Sequence, residues 1–184
     1  MAEYYLMSQL PSLDGIGDNM PLPITEEGFL EVCRRFLGKK ELIELEKLTL
    51  SPPREGAKSS SPLVDAWNEG ERNLRLALAK LRADKMKKSF ALSEGYLPAE
   101  LLQTAHTAVE FESPMEAEKF LNDYRLKFLE SLRPMDTFSK DSVFYYGLKL
   151  KLILRMRNFD NESGKTAYKN IYNSVLCGDS LEAL

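Results

Sequence analysis

Few residues in this chain of 184 could do chemistry, and each group that could is better explained by ordinary structure. Ser163-Gly164-Lys165-Thr166 has the ending of a phosphate-binding loop, in which backbone amides cradle phosphates and a lysine reaches over them. The full pattern G-x-x-x-x-G-K-T requires glycine at 159, where this chain has Phe159, and no apolar strand leads into it. DGIGDN, residues 14–19, lacks the flanking strand and helix of a dinucleotide site and reads as a polar turn. His106, the single histidine, lies between Thr104 and Thr107 with no cysteine near it, which fits a packed or surface side chain better than a ligand or base. Glu110 with Glu112, and Glu116 with Glu118, fit exposed helix ends better than a paired general acid and base. Cys33 and Cys177 are far apart and imply two buried thiols, with neither a disulfide nor a zinc framework. Asn161-Glu162-Ser163 matches a glycosylation sequon that a cytoplasmic protein would not use. No catalytic residue, cofactor site or metal site is therefore expected; the chain reads as a binding protein and not an enzyme.

The elements that must position any binding surface are helical. Hydrophobic residues at 43% and charged residues at 29% exclude a disordered or fibrous chain. The length suits one domain, or one domain with a lobe, burying its own core. No apolar run approaches the roughly 20 residues that span a bilayer, and Glu3 stands where a signal peptide would be positive, so a cytoplasmic protein is expected.

Thr25 caps a helix over about 26–37 in which Phe29, Val32, Cys33 and Phe36 share a face and Gly38 would supply a left-handed end. Leu42, Leu45 and Leu48 suggest a short second helix that Pro52 and Pro53 stop. Ser61 and Pro62 then start the strongest helix in the sequence, which reaches about Lys88 and extends roughly 40 Å. Trp67, Leu74, Leu78 and Leu81 fall on one stripe of it, with Arg72, Arg75, Arg82 and Lys85 largely off the stripe. Further helices are expected from Pro98, from the Ser113-Pro114-Met115-Glu116 capping box, from Ser139 with the stripe Val143, Gly147, Leu150 and Leu154, and over about 165–176 with Ala167, Ile171 and Val175. Residues 3–11 read as the one extended segment. The fold class is all-α, an irregular bundle of about six to seven helices with one long central helix. Residues 1–50 form an N-terminal helical segment and 51–62, SPPREGAKSSSP, a linker. Residues 63–184 form the main helical domain, and all of these could pack as a single domain.

Net charge is only -3, but basic residues cluster: 61–91 has seven Lys or Arg against four acids, and 140–157 has five against one, whereas 92–139 has nine acids against four bases. A solvated helix face is the default reading of such clusters, then an acidic protein partner, with nucleic acid third because no aromatics are interleaved with the bases of 72–88.

The stretches ERNLRLALAKLRADK and VFYYGLKLKLILRMRNF resemble the C subunit of archaeal and bacterial A/V-type ATPases, called subunit d in eukaryotic V-ATPases. Glu71, Asn73, Leu74, Leu78, Leu81, Arg82 and Ala83 match that family's helix E-x-x-N-L-x-x-x-L-x-x-L-R-A, while Tyr145, Tyr146, Leu150, Leu154 and Arg157 match its later, looser basic helix. The resemblance covers roughly residues 64–176. Members of the family are about twice as long and form three helical lobes, so this chain is similar to about half of one, or to the short C-like proteins encoded beside bacterial V-type ATPase genes.

What the resemblance implies is mechanical: a non-catalytic protein that seats the rotating central stalk, bound to other stalk or rotor subunits and peripheral to the inner membrane through the complex, with no nucleotide of its own. Arg72, Arg75 and Arg82, then Arg155 and Arg157, are the partner-binding candidates, each equally open to an ordinary ion pair. Trp67 is read as an interface anchor or, preferably, a core wedge. The alternative is a free-standing helical adaptor that binds a protein, less readily RNA, through its basic helix faces.

Overall fold

The structure, a computed structural model, describes residues 2–16, 20–53, 58–89, 97–158 and 161–179. Every regular element among them is a helix: α1 (Ala2–Gln9), α2 (Glu26–Phe36), α3 (Lys39–Glu46), α4 (Pro62–Lys85), α5 (Ala99–Glu110), α6 (Pro114–Ser131), α7 (Lys140–Arg157) and α8 (Asn161–Asp179). The chain is all-α, with eight helices in place of six or seven. The additional one is α1, where residues 3–11 were expected to be extended. The β preference of Tyr4 and Tyr5 yields to packing, because a helix there turns Leu6 fully into the core while both tyrosines stay exposed.

Helix starts follow local chemistry closely. Thr25 accepts from the Gly28 amide at 3.1 Å, Ser61 from Val64 at 3.4 Å, Ser113 from Glu116 at 3.4 Å and Ser139 from Ser142 at 3.3 Å, each satisfying an amide that the helix leaves unpaired. Helix ends depart further from expectation. Gly38 has φ −69° and serves as the N-cap position of α3, while α2 closes through the Leu37 amide on the Cys33 carbonyl at 2.9 Å. α4 stops at Lys85, three residues short of Lys88. The Lys88 amide reaches back to the Ala83 carbonyl at 2.9 Å and the Lys87 amide to Asp84 at 3.0 Å, a Schellman closure that forces Lys87 to φ 54°, where glycine is usual.

α4 is the longest of the bundle helices at 24 residues, about 36 Å, but the centre belongs to α7. Helices α1, α2, α4 and α6 all pack on α7, and every residue from 142 to 150 is buried. Its expected stripe of Val143, Gly147 and Leu150 is thus one side of a helix covered all round. Gly147 marks the closest approach, since a Cβ there would lie 3.2–3.3 Å from Leu48, Leu45 and Phe29.

Two apolar cores result. The first joins α7 to Leu6, Phe29, Cys33, Leu45, Trp67 and Leu129; the second joins Leu74, Ala77 and Leu78 of α4 to Leu101 and Ala105 of α5 and Leu121 of α6. Helices α4 and α6 run through both and so couple them. α1, α2 and α3 supply Leu6, Phe29, Cys33 and Leu45 to the first core. Of the 51–62 segment, 54–57 lie outside the described residues. Its end is held, with the Ser60 amide donating to Glu44 at 2.7 Å and the Ser59 amide to Asp65 at 2.8 Å.

Candidate functional site

Most of the arginines expected to meet a partner are engaged within the chain. Arg75 donates from Nε to Glu71 at 2.9 Å and from Nη2 to the Ser51 hydroxyl at 3.2 Å. Arg72 reaches the Pro53 carbonyl at 3.2 Å, Arg155 pairs with Glu118, and Arg157 donates to the Met20 carbonyl. Among the five, only Arg82 is exposed with no side-chain bond to the described residues. It stands with Lys85, Lys87 and Lys88 at a basic tip. Trp67 is 1% exposed and stacks on Phe128 at 6.1 Å between ring centroids, so it packs as a wedge in the core.

Behind these arginines lies a network that sequence reasoning missed. Arg125, 6% exposed, forks onto Glu71, 2% exposed, with Nε–Oε2 of 3.0 Å and Nη2–Oε1 of 3.2 Å. Its Nη1 reaches Glu118 at 3.1 Å and Asn122 at 3.0 Å, and Glu118 passes the connection to Arg155. The lattice ties α4, α6 and α7 together where the two cores meet. A signal was present: Glu71 completes the spacing Trp67, Leu74, Leu78, and Arg125 that of Leu121, Phe128 and Leu132, so both charges sit in apolar stripes.

A second cluster surrounds Lys149, also buried on α7, whose Nζ lies 2.5 Å from both Asp14 and Glu130. It separates a cavity of about 150 Å³ lined by Met7, Leu10, Pro134 and Tyr146 from one of about 280 Å³ lined by Ile16, Leu126 and Ile153. Burial works against the Lys149 ammonium, but hydrogen bonds to Asp14 and Glu130 outweigh it and hold its pKa at about 12. The Lys149 hydrogen bond lowers Asp14; at Glu130 burial pushes the other way and the same lysine prevails. Burial pushes the Tyr145 and Tyr146 phenols up to about 12. The two ion pairs make the cluster a latch that ties the α1–α2 loop and α6 to α7.

The remaining reactive types are equally quiet. Cys33 is buried, which raises its thiol to about 12 and keeps it from forming the reactive thiolate; Cys177 lies outside the described side chains. His106 is exposed, 3.4 Å from Glu110. Gly164, Lys165 and Thr166 lie within α8, which leaves no loop to cradle a phosphate. Among the described residues no group of three or more His, Cys, Asp or Glu could hold a metal ion, and no helix is long and apolar enough to cross a membrane.

What the surface offers is apolar and aromatic. Tyr4 packs on Phe138 at 4.6 Å, with Tyr5 and Met135 exposed in the same two segments, α1 and the α6–α7 connection. On α8, Tyr168, Ile171, Tyr172 and Val175 recur at helical spacing and are 53–68% exposed. A groove of about 650 Å³ runs between α4, α5 and α6, floored by Gly70, Leu101, Tyr124, Phe128 and Leu132 and edged by Glu69, Glu100 and Lys127. Such patches suit protein docking.

No curated protein and no solved structure matches the chain. The family described as "Protein of unknown function (DUF2764)" matches residues 89–178, just under half of the chain, a span that takes in α5, α6, α7 and nearly all of α8.

Proposed function

We propose that the protein is a non-catalytic helical subunit or accessory protein of a V-type ATPase, resembling the central-stalk socket subunit and bound to neighbouring stalk or rotor subunits on the cytoplasmic side of the membrane. The observation that carries this reading is where the resemblance pattern falls in the fold. Glu71, Leu74, Leu78 and Ala83 are buried on α4, and Tyr145, Tyr146 and Leu150 are buried on α7. The shared positions therefore describe a packing solution, two core helices locked by an internal ion lattice, which suits a part that transmits load. The surface adds docking chemistry to it: two aromatic patches, an apolar groove and the basic tip of α4.

The test is co-expression with the stalk and rotor subunits of a bacterial V-type ATPase, followed by size-exclusion chromatography in mild detergent. Elution in a fixed ratio with those subunits is expected, and Arg82→Glu with Lys85→Glu should weaken it. Elution apart from all of them would overturn the reading. The free-standing adaptor is the second reading, favoured by the exposure of the whole α8 stripe. If its partner were RNA, binding would fall steeply with added salt.

A further inference from the structure

We infer that α8 of one copy docks in the α4–α5–α6 groove of a second copy, so that the protein self-associates through its C-terminal helix. The inference goes beyond the stalk reading and does not depend on it.

Both halves of this contact are on the surface of the same chain. α8 presents four large apolar side chains on one arc, Ala167 beside them, and Tyr168 stacked on Tyr172 at 6.1 Å between centroids, which holds the two rings side by side. Between residues 164 and 175 the helix carries no acid, Glu162 and Asp179 lying at its two ends, so Lys169 edges the middle of the apolar stripe with positive charge. The groove is the complement in shape and in sign. Its floor is apolar and aromatic, with the Phe128 ring backed by Trp67 and packed so closely on Gly70 that a Cβ there would lie 2.3 Å from it. Its edges carry Glu69 and Glu100 against the single Lys127, and neither acid pairs with a base among the described residues. The field there is negative enough that Glu100 and Glu71 add to burial in raising the Tyr124 phenol.

Helix in groove is a recurrent mode in which an amphipathic helix places i, i+3, i+4 and i+7 side chains into an apolar trough, and Tyr168, Ile171, Tyr172 and Val175 have that spacing. Exchange in both directions closes a two-fold dimer, which leaves no free groove and no free helix.

The experiment is sedimentation velocity on the full chain over roughly 5–200 µM, beside Ile171→Ser, Lys169→Glu, Glu100→Lys and the Lys169→Glu/Glu100→Lys double variant. Wild type is expected to shift from monomer to dimer across that range. Ile171→Ser and each single charge reversal should weaken association by about tenfold or more, and the double variant should recover most of it. Circular dichroism on every variant verifies the fold, and since Ile171 is exposed its substitution leaves the cores intact. A wild type that stays monomeric throughout would overturn the inference. So would a dimer indifferent to Ile171→Ser, or one that the double reversal does not restore.

Discussion

Helices α7 and α8 are close in length, 18 and 19 residues, and both mix aromatics with lysines, yet one is covered on every side and the other shows its apolar stripe to solvent. The difference lies less in hydrophobicity than in what surrounds each helix. Around α7, four other helices close, and three of its buried polar side chains are matched individually: Tyr146 donates to the Pro11 carbonyl at 2.9 Å, Ser142 to the Asp136 carbonyl at 2.7 Å, and Lys149 to two carboxylates. α8 has the amphipathic pattern that α7 lacks, which is the signature of a helix with one partner. Stability is thus concentrated at α7, and α8 is the helix whose surface is available for association.

The most severe way to break the α7 side of this contrast is to strip the ion lattice beside it. Arg125→Ala leaves the buried Glu71 carboxyl with only the peripheral Arg75, a loss of about 3–5 kcal/mol in unfolding free energy by urea titration. Arg125→Met with Glu71→Leu should recover much of that, because a well-packed apolar pair replaces two desolvated charges. If the single substitution cost no more than an exposed pair such as Arg35–Glu31, the lattice would be peripheral and the two cores would be held together by apolar contact alone.

Next in size is a matched pair of truncations. Leu150→Ala on α7 removes a side chain with no exposure and should cost about 2–5 kcal/mol, whereas Ile171→Ala on α8 should change unfolding of the monomer by less than about 0.5 kcal/mol. Equal costs would mean that α8 packs on the body in solution. Gly70→Ala probes the same logic in the groove wall: a Cβ there would sit 2.3 Å from the Phe128 ring, and moving that ring should cost about 1–3 kcal/mol.

Acid should also act on α7 and spare α8. Asp14 and Glu130 have folded pKa values below their unfolded ones, so the stability they supply is complete above the ordinary carboxylate range and is lost as pH falls through that range and then through the folded values. Lys149 is shifted upward, so its contribution is full below its unfolded pKa and disappears only as pH rises towards 12. Thermal unfolding followed from pH 7 to pH 3 should show a falling limb, and Lys149→Met should flatten it by removing the ammonium that depresses both carboxyls. An unchanged limb would place the acid sensitivity elsewhere, for instance at Glu44, which hydrogen bonds from Ser59 and Ser60 hold low against an opposing burial effect.

How legible this contrast was in the sequence follows from how local each determinant is. The caps at Thr25, Ser61, Ser113 and Ser139 were legible because donor and acceptor are three residues apart. The apolar stripe of α8 was legible for the same reason, although nothing local could say that it would remain uncovered. α1 was missed because tyrosine favours strands, and what overrides that is Leu6 meeting a core assembled from distant helices. The lattice was missed because Glu71 and Arg125 are 54 residues apart and only packing brings α4 against α6, which diverted attention to the exposed arginines at off-stripe positions. The better rule for such a chain is to look for charges that interrupt an apolar stripe, since a helix that buries its stripe must pair them.

The smallest effect is the sharpest test of the comparison, because the same substitution has opposite surroundings in the two helices. A Cβ at Gly164 in α8 would meet nothing within 4 Å, and one at Gly147 in α7 would press on Leu45, Leu48 and Phe29 at 3.2–3.3 Å. Replacing helical glycine by alanine removes about 0.5–1 kcal/mol of unfolded-state freedom at either site. At Gly164 that gain is unopposed, so Gly164→Ala should slow amide exchange across α8 by a factor of about two to five and leave global unfolding where it was. At Gly147 the gain is spent on displacing three core side chains, and the global midpoint should stay level or fall. A rise in global stability from Gly164→Ala would show α8 unfolding together with the bundle, and its stripe would then have to be covered by the body of its own chain.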